Sequence, residues 1–299
     1  MHFAVLSLVS ALFLGFYDIC QKHALRDNPV LPVLLLSTAT SACIWSGLLL
    51  VGRLAPGALP PGLLVPPLGA LEHGELLLKS AIVASSWCCT YLAVKHLPIS
   101  LAAPIRATSP LWTLAAALVL LGERPSALQL LGIGTTLLSF FGLSVVGRRE
   151  GVHFHKNRWV GFMILGTLLA AASGLYDKLL LGKLKLAPAT VQAWFSIYLL
   201  ALFLPLSLLV RRLQGRGATP LQFRLSIPLL AFCLLCADFA YFTALRDPAG
   251  LVSLVSSIRR GSTLIAFAAG LFIFKEQNGR QKLGPVLGIV AGILLTIAG

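Results

Sequence analysis

Apolar runs of roughly twenty residues recur along the whole chain, separated by short polar or proline-marked breaks. Runs of that length match the hydrocarbon core of a bilayer crossed by an α-helix. Ten spans can be drawn, at 3–21, 31–52, 75–95, 98–121, 126–146, 158–182, 188–210, 225–245, 249–274 and 281–298. Pro32, Pro98, Pro125, Pro188 and Pro248 each lie near a predicted helix start, where a missing amide proton does no harm. The one long connection, Arg53 to Gly74, holds Pro56, Pro60, Pro61, Pro66 and Pro67 and reads as an irregular interfacial loop. No positive segment precedes Phe3 and no small-residue cleavage site precedes Tyr17–Asp18, so the first helix reads as retained.

The second half of the pattern repeats the first. Gly15, Tyr17, Asp18 and Lys22 answer to Gly174, Tyr176, Asp177 and Lys178, with Lys183 further on. Tyr91, Lys95 and Pro98 answer to Tyr241, Arg246 and Pro248, and the fifth and tenth spans share Leu131–Gly132 and Leu283–Gly284. Arg106, near the start of an apolar run that ends at Glu123, is matched by Arg259–Arg260, whose run ends at Glu276. Units of five helices contain an odd number of crossings, so two successive units traverse the membrane in opposite directions. The expected fold is therefore all-α integral membrane, with ten transmembrane helices as two inverted five-helix repeats. The repeats fall at 1–147 and 158–299, joined by a loop at 148–157. Transporters built this way bind near the midplane, at the interface of the repeats.

The helix from Pro110 followed by Gly122–Glu123–Arg124–Pro125 and a Leu–Gly-rich helix resembles the EamA-like repeat of the drug/metabolite transporter superfamily. The resemblance extends over both halves. In the second, Gly261 stands in place of the proline and Lys275–Glu276–Gln277 in place of Gly–Glu–Arg. It implies ten helices, two inverted halves, and export or exchange of small metabolites, with no particular substrate.

Composition narrows the class further. The chain is 57% hydrophobic and 11% charged, with a mean hydropathy of +0.88, too little polar surface for a soluble domain. The net charge of +14 does not indicate nucleic acid, because the basic residues cluster in short loops beside spans, where topology and anionic headgroups account for them. Fourteen Lys and Arg fall on the face of the odd-to-even loops and six, Lys79 among them, on the other. That count places the termini outside the cytoplasm, whereas the family resemblance implies termini inside. The six cysteines lie in or beside apolar runs; Cys233 and Cys236 lack polar neighbours and read as small buried hydrophobes.

An ionisable residue inside a membrane span marks a cavity or a partner, since at the bilayer centre it costs at least ~2.5–3.5 kcal/mol. Those residues here are Asp18, Arg106, Asp177, Lys178, Asp238, Arg259 and Arg260. At ~1.5 Å per residue, Arg106 lies roughly 12 Å and Asp18 roughly 5 Å from the same face, within reach of one another. Asp177 is expected near Arg259 or Arg260 on the opposite face. Such pairs serve either as alternating gates or as static ion pairs. Asp238, near the midplane and opposite Cys88 in the repeat, suits a coupling proton or a substrate amine, unless Arg259 or Arg260 neutralises it. Trp87, Tyr91 and Tyr241, with Ser109, are the candidate cavity residues; core packing is the alternative for the aromatics.

Gly284, Gly288 and Gly292 form a small-residue stripe for close helix packing within the chain, with a homodimer seam as the alternative. His153 and His155 lack a third ligand, so no metal and no cofactor is expected. Hydrolase elbows, zinc-protease motifs and phosphate loops are absent from the sequence. The expected activity is secondary active transport of a small polar or zwitterionic metabolite in the cell membrane, the bacterial inner membrane above all. The partners expected are the lipid bilayer and a small-molecule substrate. A channel-like protein or receptor, or a membrane-embedded enzyme, is the alternative.

Overall fold

Helices form where the apolar runs predict them. The computed structural model describes residues 2–96, 105, 108–145, 158–214, 220–262, 264–265 and 279–299, and these are all-helical. The first half contains α1 (His2–Leu25), α2 (Val30–Leu54), α3 (Ala70–His96), α4 (Ser109–Ala116, extended by a π turn at Ala117–Leu121) and α5 (Ala127–Val145). The second contains α6 (Arg158–Lys178, extended by a π turn at Leu179–Lys183), α7 (Pro188–Gln214), α8 (Ser226–Arg246), α9 (Val252–Arg259) and α10 (Gly279–Ala298). Five of them, α1, α2, α6, α7 and α8, are long and apolar enough to cross a membrane; α4, α5 and α10 hold shorter apolar stretches.

Local chemistry explains the ends. Gly122 takes the left-handed conformation (φ 64°) that terminates α4. Ser126 and Gln129 cap α5 reciprocally: the Gln129 amide donates to Ser126 Oγ (3.1 Å), and the Ser126 amide to Gln129 Oε1 (2.8 Å). The proline-rich connection contains two short 3₁₀ turns, and α3 begins at Ala70, earlier than its apolar run suggests. Leu63 and Val65 of this connection pack near Trp45, Ala189 and Ala193.

The halves interlock. The principal contacts run between them: α1 with α8, α5 with α10, α3 with α6, α2 with α7, and α3 with α7. Ser10 Oγ on α1 donates to the Ala237 carbonyl on α8 (2.7 Å), and Ser86 Oγ on α3 donates to the Gly166 carbonyl on α6 (2.7 Å). At the α5–α10 seam the backbones approach so closely that a Cβ on Gly292 would lie 2.7 Å from the Thr136 nitrogen. Gly288 and Gly292 of the α10 stripe thus pack within the chain, whereas Gly284 meets open space. Large apolar side chains such as Leu138, Leu287 and Leu294 point outward, as a lipid-facing surface requires.

Candidate functional site

A cavity lies between α1, α2, α3, α7 and α8. It reaches from Leu25, Val33 and Leu230, near the helix ends on the face rich in Lys and Arg, inward to Asp238. Trp87, Phe195 and Leu199 give it an apolar wall, and Trp87 stacks on Phe203 at 6.0 Å. Ser37, Thr38 and Ser41 of α2 and Gln192 and Ser196 of α7 give it a polar one. Helices α2 and α7 thus line this cavity directly.

Three hydroxyls of the polar wall bond back to their own helices. Ser37 and Thr38 donate to the Leu34 carbonyl (both 2.9 Å), and Ser196 donates to Gln192 O (2.8 Å). Gln192 Nε2 donates to the Leu235 carbonyl of α8 (2.6 Å). Side chains satisfied in this way are tolerated in apolar helices.

At the inner end, Arg259 Nη2 donates to Asp238 Oδ1. The same guanidinium donates from Nε to Ser10 Oγ (2.9 Å) and stacks 4.3 Å from the Tyr241 ring centroid. Asp238 is therefore neutralised by Arg259, and it still faces the cavity. Tyr241 is buried beneath the guanidinium instead of lining open space.

Away from the cavity, towards the start of α3, three polar pairs join the halves. Lys79 Nζ of α3 donates to Asp177 Oδ1 of α6, with the two residues only 1% and 4% exposed. Phe195 and Phe242 flank the ammonium at 4.4 and 4.9 Å. Tyr176 donates its hydroxyl to Glu75, and the Tyr198 hydroxyl meets His73 Nδ1 at 2.8 Å. This corrects the expected Asp177 pairing: its hydrogen-bond partner is Lys79, not Arg259 or Arg260. Lys79 escaped notice because it lies near the edge of an apolar run and was assigned to the loop face.

Two further charges hold helix ends. Glu123 accepts from the Val252 amide (2.6 Å) and from the Ser253 amide (3.3 Å) and hydroxyl (2.6 Å), capping α9 from the other half. Lys178 Nζ donates to the carbonyls of Leu245 (2.9 Å), Asp247 (3.2 Å) and Gly250 (2.7 Å) at the end of α8. Both match the charge that each helix end favours.

The remaining predicted residues are placed as follows. Ser109 is buried in the first turn of α4. Asp18 and Arg260 are half-buried and engaged with neighbouring groups. Arg106, the Tyr91 side chain, and His153 and His155 lie outside the described residues, and with them the proposed Asp18–Arg106 contact. Among the described residues no cluster of three or more metal-ligating side chains occurs.

Comparison with known proteins agrees with this architecture. Residues 2–145 match the model of the EamA-like transporter family. A solved crystal structure of a protein superposes with a TM-score of 0.73 at 14% identity, covering 99% of this chain and 96% of that one, a likeness of fold. No curated protein matches the chain. Residues 2–145, just under half of the chain, are thus similar to an EamA-like transporter unit, and the long apolar helices of both halves are those of a multi-pass membrane protein.

Proposed function

We propose that the chain is a secondary transporter that moves a small polar or zwitterionic metabolite by alternating access between two inverted five-helix repeats. The observation that carries this reading is the one-sided cavity: it runs from the basic face to Asp238, while α3, α6 and α7 are tied together on the other side. The pattern of contacts supports the inverted repeat. Exchanging first-half helices for their second-half equivalents turns α1–α8 into α6–α3 and α1–α9 into α6–α4, and returns α2–α7, α4–α9 and α5–α10 to themselves.

By the positive-inside rule the basic face is cytoplasmic, so this is a cytoplasm-facing state. With Lys79 counted inside the bundle, the bias towards that face is sharper than in the sequence count. A bacterial inner membrane is the setting proposed. Opening the other side requires parting α3 from α6 and α7, which breaks the three polar pairs. Asp238 serves as the coupling carboxylate, because a group that is ionised in one state and neutral in the other supplies the differential affinity coupling needs.

Reconstitution tests both parts. Proteoliposomes containing the chain should accumulate labelled metabolite against its gradient when a proton gradient is imposed. Asp238→Asn should lose that uphill accumulation and keep exchange of labelled for unlabelled metabolite once the metabolite is concentrated enough to fill the variant's weakened site. A variant that still concentrates metabolite as wild type does removes the coupling role. Flux far faster than alternating access allows would instead indicate a channel.

A further inference from the structure

From the hydrogen bonding of the cavity walls we infer that the molecule bound there is recognised through a primary ammonium group, seated between Asp238 and the polar wall of α2 and α7. This names the cargo chemistry of the transporter reading above and rests on it.

The argument starts from donors and acceptors. A hydroxyl has one proton to give and two lone pairs. Ser37, Thr38 and Ser196 have spent that proton on backbone carbonyls of their own helices, so each oxygen presents lone pairs. Gln192 has directed its NH₂ at Leu235, leaving its carbonyl oxygen as the accepting end. Asp238 accepts at both oxygens and has one of them engaged by Arg259. Five of the cavity's polar side chains thus offer acceptors, and it is this part of the lining, set apart from Tyr17, Gln21 and Ser41, that a group made only of donors matches. An ammonium is such a group, with three N–H donors and no lone pair. Opposite it, Trp87, Phe195 and Leu199 suit an apolar body.

Arg259 marks the seat already. Its guanidinium gives Asp238 the positive charge that an ammonium would bring. Its other contacts, to Ser10 Oγ and the Tyr241 face, do not involve Asp238 and remain when an ammonium takes over the carboxylate. Displacement therefore leaves the arginine hydrogen-bonded and stacked. A proton on Asp238 would release the ammonium in the same way, so cargo and proton compete for one carboxylate.

The test is a matched panel on the full chain purified in detergent, read as thermal stabilisation. The probes are 2-phenylethylamine, isopentylamine and cyclohexylmethylamine, each with the alcohol of the same skeleton, and 3-phenylpropionate as an anion. Amines should raise the unfolding temperature saturably, while the alcohols and the carboxylate leave it unchanged. Asp238→Asn should weaken the amines about a hundredfold, as expected for removing the partner of a buried charge. Ser196→Ala and Thr38→Val should each weaken them roughly three- to tenfold, with the unliganded variants unfolding where wild type does. If Asp238→Asn does not fold, the amine–alcohol contrast and the two hydroxyl variants decide. The inference is overturned if alcohols or the carboxylate stabilise as strongly as amines, or if no amine stabilises at millimolar concentration. Amines that bind but are not moved by proteoliposomes would sink the transporter reading and leave this site standing. Transport of other molecules with no amine binding would do the reverse.

Discussion

Lys79 shows what a single charge does in this bundle. A buried ammonium flanked by Phe195 and Phe242 is tolerable only with Asp177 against it. Lys79→Met leaves the carboxylate uncompensated and should lower stability by about 3–5 kcal/mol, whereas Lys79→Met with Asp177→Leu should recover most of that loss. Denaturant titration in detergent reads both; a single variant as stable as wild type would mean that the pair contributes nothing. Residue-scale legibility was uneven for physical reasons. Asp238 and Trp87 stood out because an acid and a large aromatic in mid-span need explaining. Ser37, Thr38 and Ser196 did not, because a hydroxyl that bonds to its own helix leaves no mark on hydrophobic periodicity. Lys79 hid near the edge of a run, where a lysine normally reaches for headgroups.

Helix ends and seams carry the next level. Glu123 caps α9 across the boundary between the halves, so Glu123→Ala should cost about 0.5–2 kcal/mol and loosen the start of α9. Faster amide exchange at Val252 and Ser253 would register the loss; unchanged exchange there would show that another group holds them. The glycines of α10 differ sharply. A Cβ at Gly284 meets open space, while one at Gly292 meets Thr136 backbone, so Gly292→Ala should destabilise by about 1–3 kcal/mol and Gly284→Ala should not. Equal melting of the two variants would contradict the seam described. Helix positions themselves were readable from apolar run length and proline punctuation, and even their ends agree within a few residues for most spans. The start of α3 was not, since Glu72 and His73 look like loop until His73 is seen to meet Tyr198 of α7.

For the whole molecule, the one-sided cavity predicts which face gives access. In a cysteine-free background, Cys replacing Ser41 should react with a membrane-impermeant thiol reagent applied to the basic face and resist it from the other. Labelling from the opposite face alone would reverse the assigned state. The interlocking of the halves also bears on how the protein is made. Because its main contacts cross from one half to the other, the first five helices leave the translation machinery with their packing surfaces unmatched. They must wait in the bilayer, held only by lipid and each other, until the later helices arrive. Biogenesis then resembles assembly of a heterodimer from tethered subunits more than sequential growth of a domain. Chains cut between 147 and 158 should accumulate when both fragments are co-expressed, and the leading fragment alone should be cleared by membrane quality-control proteolysis.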